Sequence, residues 1–457
     1  MGKHTIEELR QRQALPLEAK IEMSYARVRD WVDAYGIQGV YISFSGGKDS
    51  TVLLDLIRNR YGYPDMKAVF VDVPTQFPEL RQFVKTFDNV DIIKPKISFM
   101  EVCEKYGFPL ISKEVSESVE GARKYLKSII AEAEAGGGSK HPYRYFFEKV
   151  QSIGDFKQDQ PENYKNSSGG DTLINTNTRS LLEQDTFRQT NLQLVEKSLR
   201  GGVSDPGRLK PQSCSEWVNT HQEQLAGTLR ANHNISGANK RLAGLMGWLT
   251  KDGAIRENTP KNDRSQFSTE RYKFFLDAPF EISNKCCKIM KKDPVRRYEK
   301  EHGVFGITAQ MADESKLRTQ VWLMNGCNAF DAKHPISNPM SFWTENDILE
   351  YIYKYKLPIC SVYGEVVPAS DQLTFKDMGF DTGDAPCKKY MTTGWKRTGC
   401  MLCGFGCHLE KSPNRFEQLK VTHPGVYGLL DKCKNNGVTF REAIEWINEH
   451  GNMNIKL

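Results

Sequence analysis

No apolar run in this 457-residue chain reaches the ~18 residues needed to cross a bilayer. The opening MGKHTIEELRQRQ lacks the apolar core of a secretory signal, and Ile6 breaks the myristoylation pattern. These absences exclude a membrane span and predict a cytoplasmic protein without membrane partners. A strong charge of one sign is missing too. Lys and Arg number 63 against 57 Asp and Glu, a net charge of +6. That balance permits a nucleic-acid partner without demanding one. No internal repeat is present, which removes solenoids and propellers. The eleven cysteines are odd in number and unevenly placed. Cys286-Cys287 and Cys400-x-x-Cys403 suit metal or redox chemistry in a reducing compartment, not a disulfide framework.

What is present is an alternation of strand and helix patterns. Residues 5–35 read as helical. GVYISF (39–44), KAVFVDV (67–73) and VDIIKP (90–95) read as buried strands. The helix patterns FPELRQFVKTF (77–87) and SFMEVCEKYG (98–107) separate or follow them, the second opened by Ser98 and closed by Gly107. This order predicts an α/β fold, a doubly wound parallel sheet. Residues 112–130 read as helix, EAEAGGGSKHP as a linker, and about 151–265 as a polar, partly mobile insertion with helices near 179–199 and 215–231. Regular structure is expected to resume near residue 272, with a strand at GVFGIT (303–308). Capping boxes at Thr344/Asp347 and Thr439/Glu442 open helices over 344–355 and 439–450. The chain then divides into an N-terminal helical segment (1–36), a nucleotide-binding half (37–111), a helical and polar insertion (112–270), a second half (271–365) and a Cys-containing C-terminal region (366–457).

The loop Ser45-Gly46-Gly47-Lys48-Asp49-Ser50 lies between the first strand and a helix pattern in which Val52, Leu53, Leu56 and Ile57 share one face. Glycines there let the backbone approach an anion. Amides and the helix N-terminus point at it, Lys48 adds a full charge, and Ser45 and Ser50 add hydroxyls. The spacing is neither GxxxxGK[ST] nor GxGxxG. Asp72, ending the second strand, stands where such folds bind nucleotides; a turn or helix-cap role is its other reading.

The loop resembles the SGGxDS signature of the PP-loop ATP pyrophosphatases. That resemblance implies ATP cleavage between the α and β phosphates, with Lys48 and Asp49 as catalytic residues and Asp49 helping to hold Mg²⁺. NKCCKIMKKDPVRRYEKEHGVFGITAQMADESKLR (284–318), PMSFWTENDILEYIYKYKLPICSVYG (339–364) and RTGCMLCGFGCHLE (397–410) resemble the phosphoadenylyl-sulfate (PAPS) reductase branch of that superfamily. The likeness covers about 36–110 and 275–425. It implies a [4Fe–4S] cluster on Cys286, Cys287, Cys400 and Cys403. A zinc site on Cys387, Cys400, Cys403 and Cys407 is the open alternative, since four thiolates suit either. Cys103, Cys327, Cys360 and Cys433 read as small buried hydrophobes.

Glu314 and Arg318 match the branch's ES…R element and are candidate substrate contacts; a surface ion pair is their other reading. Two departures steer the function. No cysteine follows Cys433, where sulfonucleotide reductases carry a catalytic one, and the Lys-Asp of the loop is intact. The G-x-R of the family strand is absent at Ala309 and Gln310. The pattern is similar to sulfurtransferases of DNA phosphorothioation systems and to PAPS reductase-like proteins of mobile elements. It implies ATP-dependent adenylylation coupled to sulfur transfer, with a cysteine desulfurase or other sulfur donor as partner and nucleic acid as candidate acceptor. A nucleotide-binding regulator without turnover and a sulfonucleotide reductase are the alternatives. Cys407, beside His408, is a candidate reactive thiol if the imidazolium lowers its pKa. The basic runs KKDPVRRYEK and KKYMTTGWKRTG, with Tyr390 and Trp395, are candidate nucleic-acid contacts.

Overall fold

The computed structural model describes residues 3–134, 213–231, 237–266, 268–369 and 389–457. The strands that organise it, in chain order, are β1 (Val40–Ser43), β2 (Ala68–Val71), β3 (Val90–Ile93), β4 (Leu110–Ile111), β5 (Phe305–Ile307), β6 (Asn328–Ala329), β7 (Ile336–Ser337), β8 (Val366–Pro368), β9 (Tyr390–Thr392) and β10 (Gly404–Phe405). By internal contacts the chain forms two units. One is Met1–Cys103, Lys285–Cys403 and Arg415–Leu430; the other is Glu104–Asn284, Gly404–Asn414 and Asp431–Leu457.

The first unit is built on a six-stranded sheet in the order β3-β2-β1-β5-β7-β6. All neighbours run parallel except β6, which is antiparallel to β7. Alternation along β1 explains its two faces. Val40, Ile42 and Phe44 enter the main core with Val52, Leu53, Leu56 and Ile57 of the following helix. Tyr41 enters a smaller core on the other face with Val69 and Tyr298. Helical segments therefore cover both sides, as the sequence predicted for a doubly wound sheet. The predicted strands and helices through residue 130 are present within a few residues of their expected limits, Lys113–Glu134 being the longest of the helices.

Thr344 and Asp347 form the expected capping box at the start of the helix Glu345–Tyr355. Asp347 is also held by Lys20, whose ammonium lies 2.6 Å from it and which is itself 1% exposed. That buried ion pair ties the helix Leu17–Tyr35 to the first turn of Glu345–Tyr355. Beyond this helix, β8 and β9 pair antiparallel, Val366 opposite Thr392.

In the second unit, the expected helical pieces over 215–231 are the helices Cys214–Thr220 and Gln222–Ala231. Regular structure does not wait until residue 272. Gly237–Met246 is a helix that buries Leu242, Ala243, Leu245 and Met246, and single bridges pair Leu249 with Ile255 and Thr250 with Arg264. The polar composition of the tract hid this short apolar segment. Arg123 holds the unit together from the helix Lys113–Glu134 by donating to the carbonyls of Phe280 and Ala278, at 2.6 and 2.7 Å. β4 pairs in parallel with β10, and the helix Phe440–Gly451 has the expected Thr439/Glu442 box. The expected helix at 179–199, most of the linker and residues 151–212 of the polar tract lie outside the described residues.

Candidate active site

The loop after β1 is organised by its own hydroxyls. The Ser45 amide donates to Ser50 Oγ at 3.1 Å, and the Gly47 amide donates to Ser45 Oγ at 3.3 Å. Ser50 Oγ in turn donates to the Gly47 carbonyl at 2.9 Å. Gly46 has φ +71°, and a Cβ there would lie 2.9 Å from Val84 Cγ2. Both the left-handed backbone and the packing of the helix Pro78–Val84 therefore require glycine. Gly47 caps the helix Lys48–Asp55, so the helix N-terminus faces the loop.

Lys48 is 4% exposed. Its ammonium lies 3.1 Å from Asp49 Oδ1 and 3.3 Å from Glu345 Oε1. Burial works against its charge, but the two carboxylates outweigh it and hold its pKa above the ordinary lysine range. Glu345 opens the helix that Thr344 and Asp347 cap, a position that favours a carboxylate. The Lys48 amide donates to the Tyr363 hydroxyl at 3.1 Å, and that hydroxyl lies 2.6 Å from Thr398 Oγ1. Burial first of all raises the Tyr363 phenol, so it stays protonated.

Glu314 and Arg318 form the expected i, i+4 ion pair. Burial lowers the pKa of Arg318, Asp49 opposes that shift, and Arg397 adds to it. The ES…R element thus shares an electrostatic environment with the loop. Asp72 follows the end of β2, and its carboxylate lies 2.5 Å from Arg81 Nε.

Cys287, Cys400 and Cys403 all lie within electrostatic reach of Cys286. Burial raises the Cys286 thiol, and Cys400, Cys287 and Cys403 raise it further. Lys291 hydrogen-bonds Cys400, whose charge is the main reason its pKa is raised; Cys287 and Cys403 act in the same sense. The Arg415 guanidinium donates to the Cys403 carbonyl at 2.7 Å. The Lys291 ammonium therefore stands beside these sulfurs. Among the described residues, no group of three or more Cys, His, Asp or Glu side chains is arranged for a metal ion. Of the alternative zinc set, Cys387 lies outside the described residues and Cys407 belongs to the second unit.

Burial and the Arg271 guanidinium hold His408 below the usual imidazole range. That shift disfavours the imidazolium that would activate Cys407. In the first basic run Lys291 faces the cysteines, Lys288 pairs with Asp293 and Arg297 donates to the Lys94 carbonyl. Tyr390 and Trp395 already have ring partners, Tyr353 and Phe77.

Glu345, Tyr363, Thr398 and Lys291 escaped sequence reasoning. The Thr344/Asp347 box fixed the first turn in which Glu345 sits. Nothing local in the sequence shows that Tyr363 and Thr398 meet the loop.

Among the described residues no helix is long and apolar enough to cross a membrane. An 83-residue stretch is 35% identical to a probable FAD synthase of Caenorhabditis briggsae. That stretch covers 16% of this chain and 16% of that protein. No solved structure matches. The phosphoadenosine phosphosulfate reductase domain matches residues 39–127 and 253–404, the two stretches that carry the loop with its strands, Glu345, Tyr363 and Thr398, and Cys286, Cys287, Cys400 and Cys403. These matches point to a nucleotide-utilising enzyme. With more than half of its length matched, the chain belongs to the phosphoadenosine phosphosulfate reductase domain family.

Proposed function

We propose that this chain binds ATP-Mg²⁺ on residues 45–50 and transfers its adenylyl group to an acceptor oxygen, releasing pyrophosphate, in a reaction coupled to sulfur transfer. The observation that carries this reading is the Lys48 ammonium, set at a helix N-terminus above a glycine-rich turn and paired with carboxylates that a phosphate or Mg²⁺ can compete with or for. In the step, the acceptor oxygen attacks the α-phosphorus and the α–β bridge breaks. Lys48 and the loop amides stabilise the charge that builds on the leaving pyrophosphate. Asp49 helps to hold Mg²⁺, and Asp72 lines the nucleotide side of the site. Arg318, with Glu314 orienting it, contacts the acceptor. The relative named for FAD synthesis supports nucleotide chemistry of this kind.

Sulfur of hydrosulfide level, delivered by a partner such as a cysteine desulfurase together with a reductant, then displaces AMP. A nucleic acid is the candidate acceptor. Cys286, Cys287, Cys400 and Cys403 would hold a [4Fe–4S] cluster by donor type, with the Lys291 ammonium beside them to offset its negative charge. A cluster held there supplies an electron-rich, redox-active sulfur environment.

The test is AMP and pyrophosphate release from ATP-Mg²⁺ by anaerobically purified protein, with DNA or RNA as acceptor. Lys48→Ala should reduce release about 10²- to 10³-fold. Release that survives this substitution refutes the reading. Binding of ATP without turnover assigns a nucleotide-sensing regulator instead, and sulfite formed from phosphoadenylyl sulfate assigns a reductase.

A further inference from the structure

We propose that Tyr363 and Thr398 are positioning residues that couple the nucleotide loop to the four-cysteine centre, so that the grip on ATP depends on Cys400 and its partners. The proposal rests on the ATP reading above and deepens it. Three hydroxyls from separate segments converge on one backbone position. A Cβ placed on Gly47 would lie 3.2 Å from Ser45 Oγ, 3.2 Å from Tyr363 OH and 3.4 Å from Thr398 Oγ1. Tyr363 is buried at this point and accepts the first amide of the loop helix. Held there, the phenol fixes that amide next to the Lys48 ammonium, in the arrangement that meets a phosphate.

The far end of the connection is equally constrained. The Gly394 amide donates to the Tyr363 carbonyl at 2.8 Å, and the Trp395 amide to the Val362 carbonyl at 2.9 Å. Glycine at 394 is required, because a Cβ there would lie 2.5 Å from the Val362 carbonyl oxygen. The Thr393 amide donates to the Glu365 carbonyl at 2.9 Å, continuing the β8–β9 ladder. Residues 362–365 and 393–395 therefore move as one piece. Thr398 is only two residues from Cys400, and the Met401 amide is fixed to the Thr75 carbonyl at 2.8 Å. A shift at Cys400 has a short covalent and hydrogen-bonded route to the Lys48 amide. Linkage makes the effect reciprocal, so nucleotide should also protect the cysteines.

A double-mutant cycle tests this, read by the affinity of a fluorescent non-hydrolysable ATP analogue. Cys400→Ser should weaken binding about tenfold in the native background. In a Tyr363→Phe background the same change should cost less than about twofold. Thr398→Val should behave as Tyr363→Phe does, and Thr398→Ser, which keeps the hydroxyl, should retain the coupling. The analogue should slow alkylation of the cysteine centre in the native protein but not in Tyr363→Phe. Melting curves confirm that each variant is folded. Equal losses in both backgrounds, or no effect of Cys400→Ser on affinity, overturn the proposal while leaving the ATP reading intact. Failure of the native protein to bind the analogue overturns the ATP reading itself, and this inference with it.

Discussion

The ammonium of Lys48 lies 3.3 Å from a carboxylate oxygen of Glu345, although strand order and helix packing, not sequence proximity, bring the two together. Glu345 thus competes with a phosphate for the one buried cation of the loop. Glu345→Gln should lower the KM for ATP a few-fold by freeing Lys48. Its side chain is half exposed, so stability should change by less than about 1 kcal/mol. Steady-state kinetics and a thermal melt read the two effects. A raised KM with unchanged stability would show that Glu345 serves the nucleotide directly.

The first turn carrying Glu345 depends on the buried Lys20–Asp347 pair. Lys20→Met leaves Asp347 buried with only its Thr344 hydrogen bonds. We expect a loss of roughly 3–5 kcal/mol in denaturant unfolding. Lys20→Met with Asp347→Asn should recover part of it, because the uncompensated charge is gone.

Strand, loop and helix were legible because their signals are local. The run Val40–Phe44, the glycines and the face Val52, Leu53, Leu56, Ile57 all fall within one short window. The short strands β6 and β7 were not legible, because two residues each are too few to show a period. The helix Gly237–Met246 was lost in a polar neighbourhood. The adjacent pair and the CxxC spacing singled out four cysteines as candidates, whereas Lys291, which hydrogen-bonds Cys400, looked like one more cation in a basic run. Contacts such as Tyr363 to Lys48 depend on the tertiary fold and leave no mark on the nearby sequence.

The Tyr41 hydroxyl donates to Glu299 at 2.8 Å across the smaller core face. Burial raises Glu299 above its ordinary value of 4.5, and this outweighs the lowering effects of Tyr41, His334 and Arg296. The folded state therefore holds the proton more tightly than the unfolded chain. The group costs no stability below pH 4.5, and stability falls as pH rises from there through the raised folded value. Glu299→Gln should flatten that part of the stability–pH curve, measured by urea unfolding at a series of pH values. An unchanged slope would remove Glu299 as its source.

Anaerobically purified protein should contain iron and acid-labile sulfide. Cys286→Ser, Cys287→Ser, Cys400→Ser or Cys403→Ser should each deplete both. Cys327→Ser should leave them in place, since Cys327 packs within the main hydrophobic core of the first unit. Elemental analysis and the visible absorption spectrum report the result.

The β8–β9 ladder ends with the Ala369 amide donating to the Lys389 carbonyl at 3.0 Å, so residues 369 and 389 lie side by side. A graft of a tight Gly-containing turn from 369 to 389 can close that gap at small entropic cost. Such a shortened protein would keep the Tyr363 bracket while deleting Cys387. Metal retained by it would have to sit on the remaining thiols, making the excision a clean way to choose between the two ligand sets.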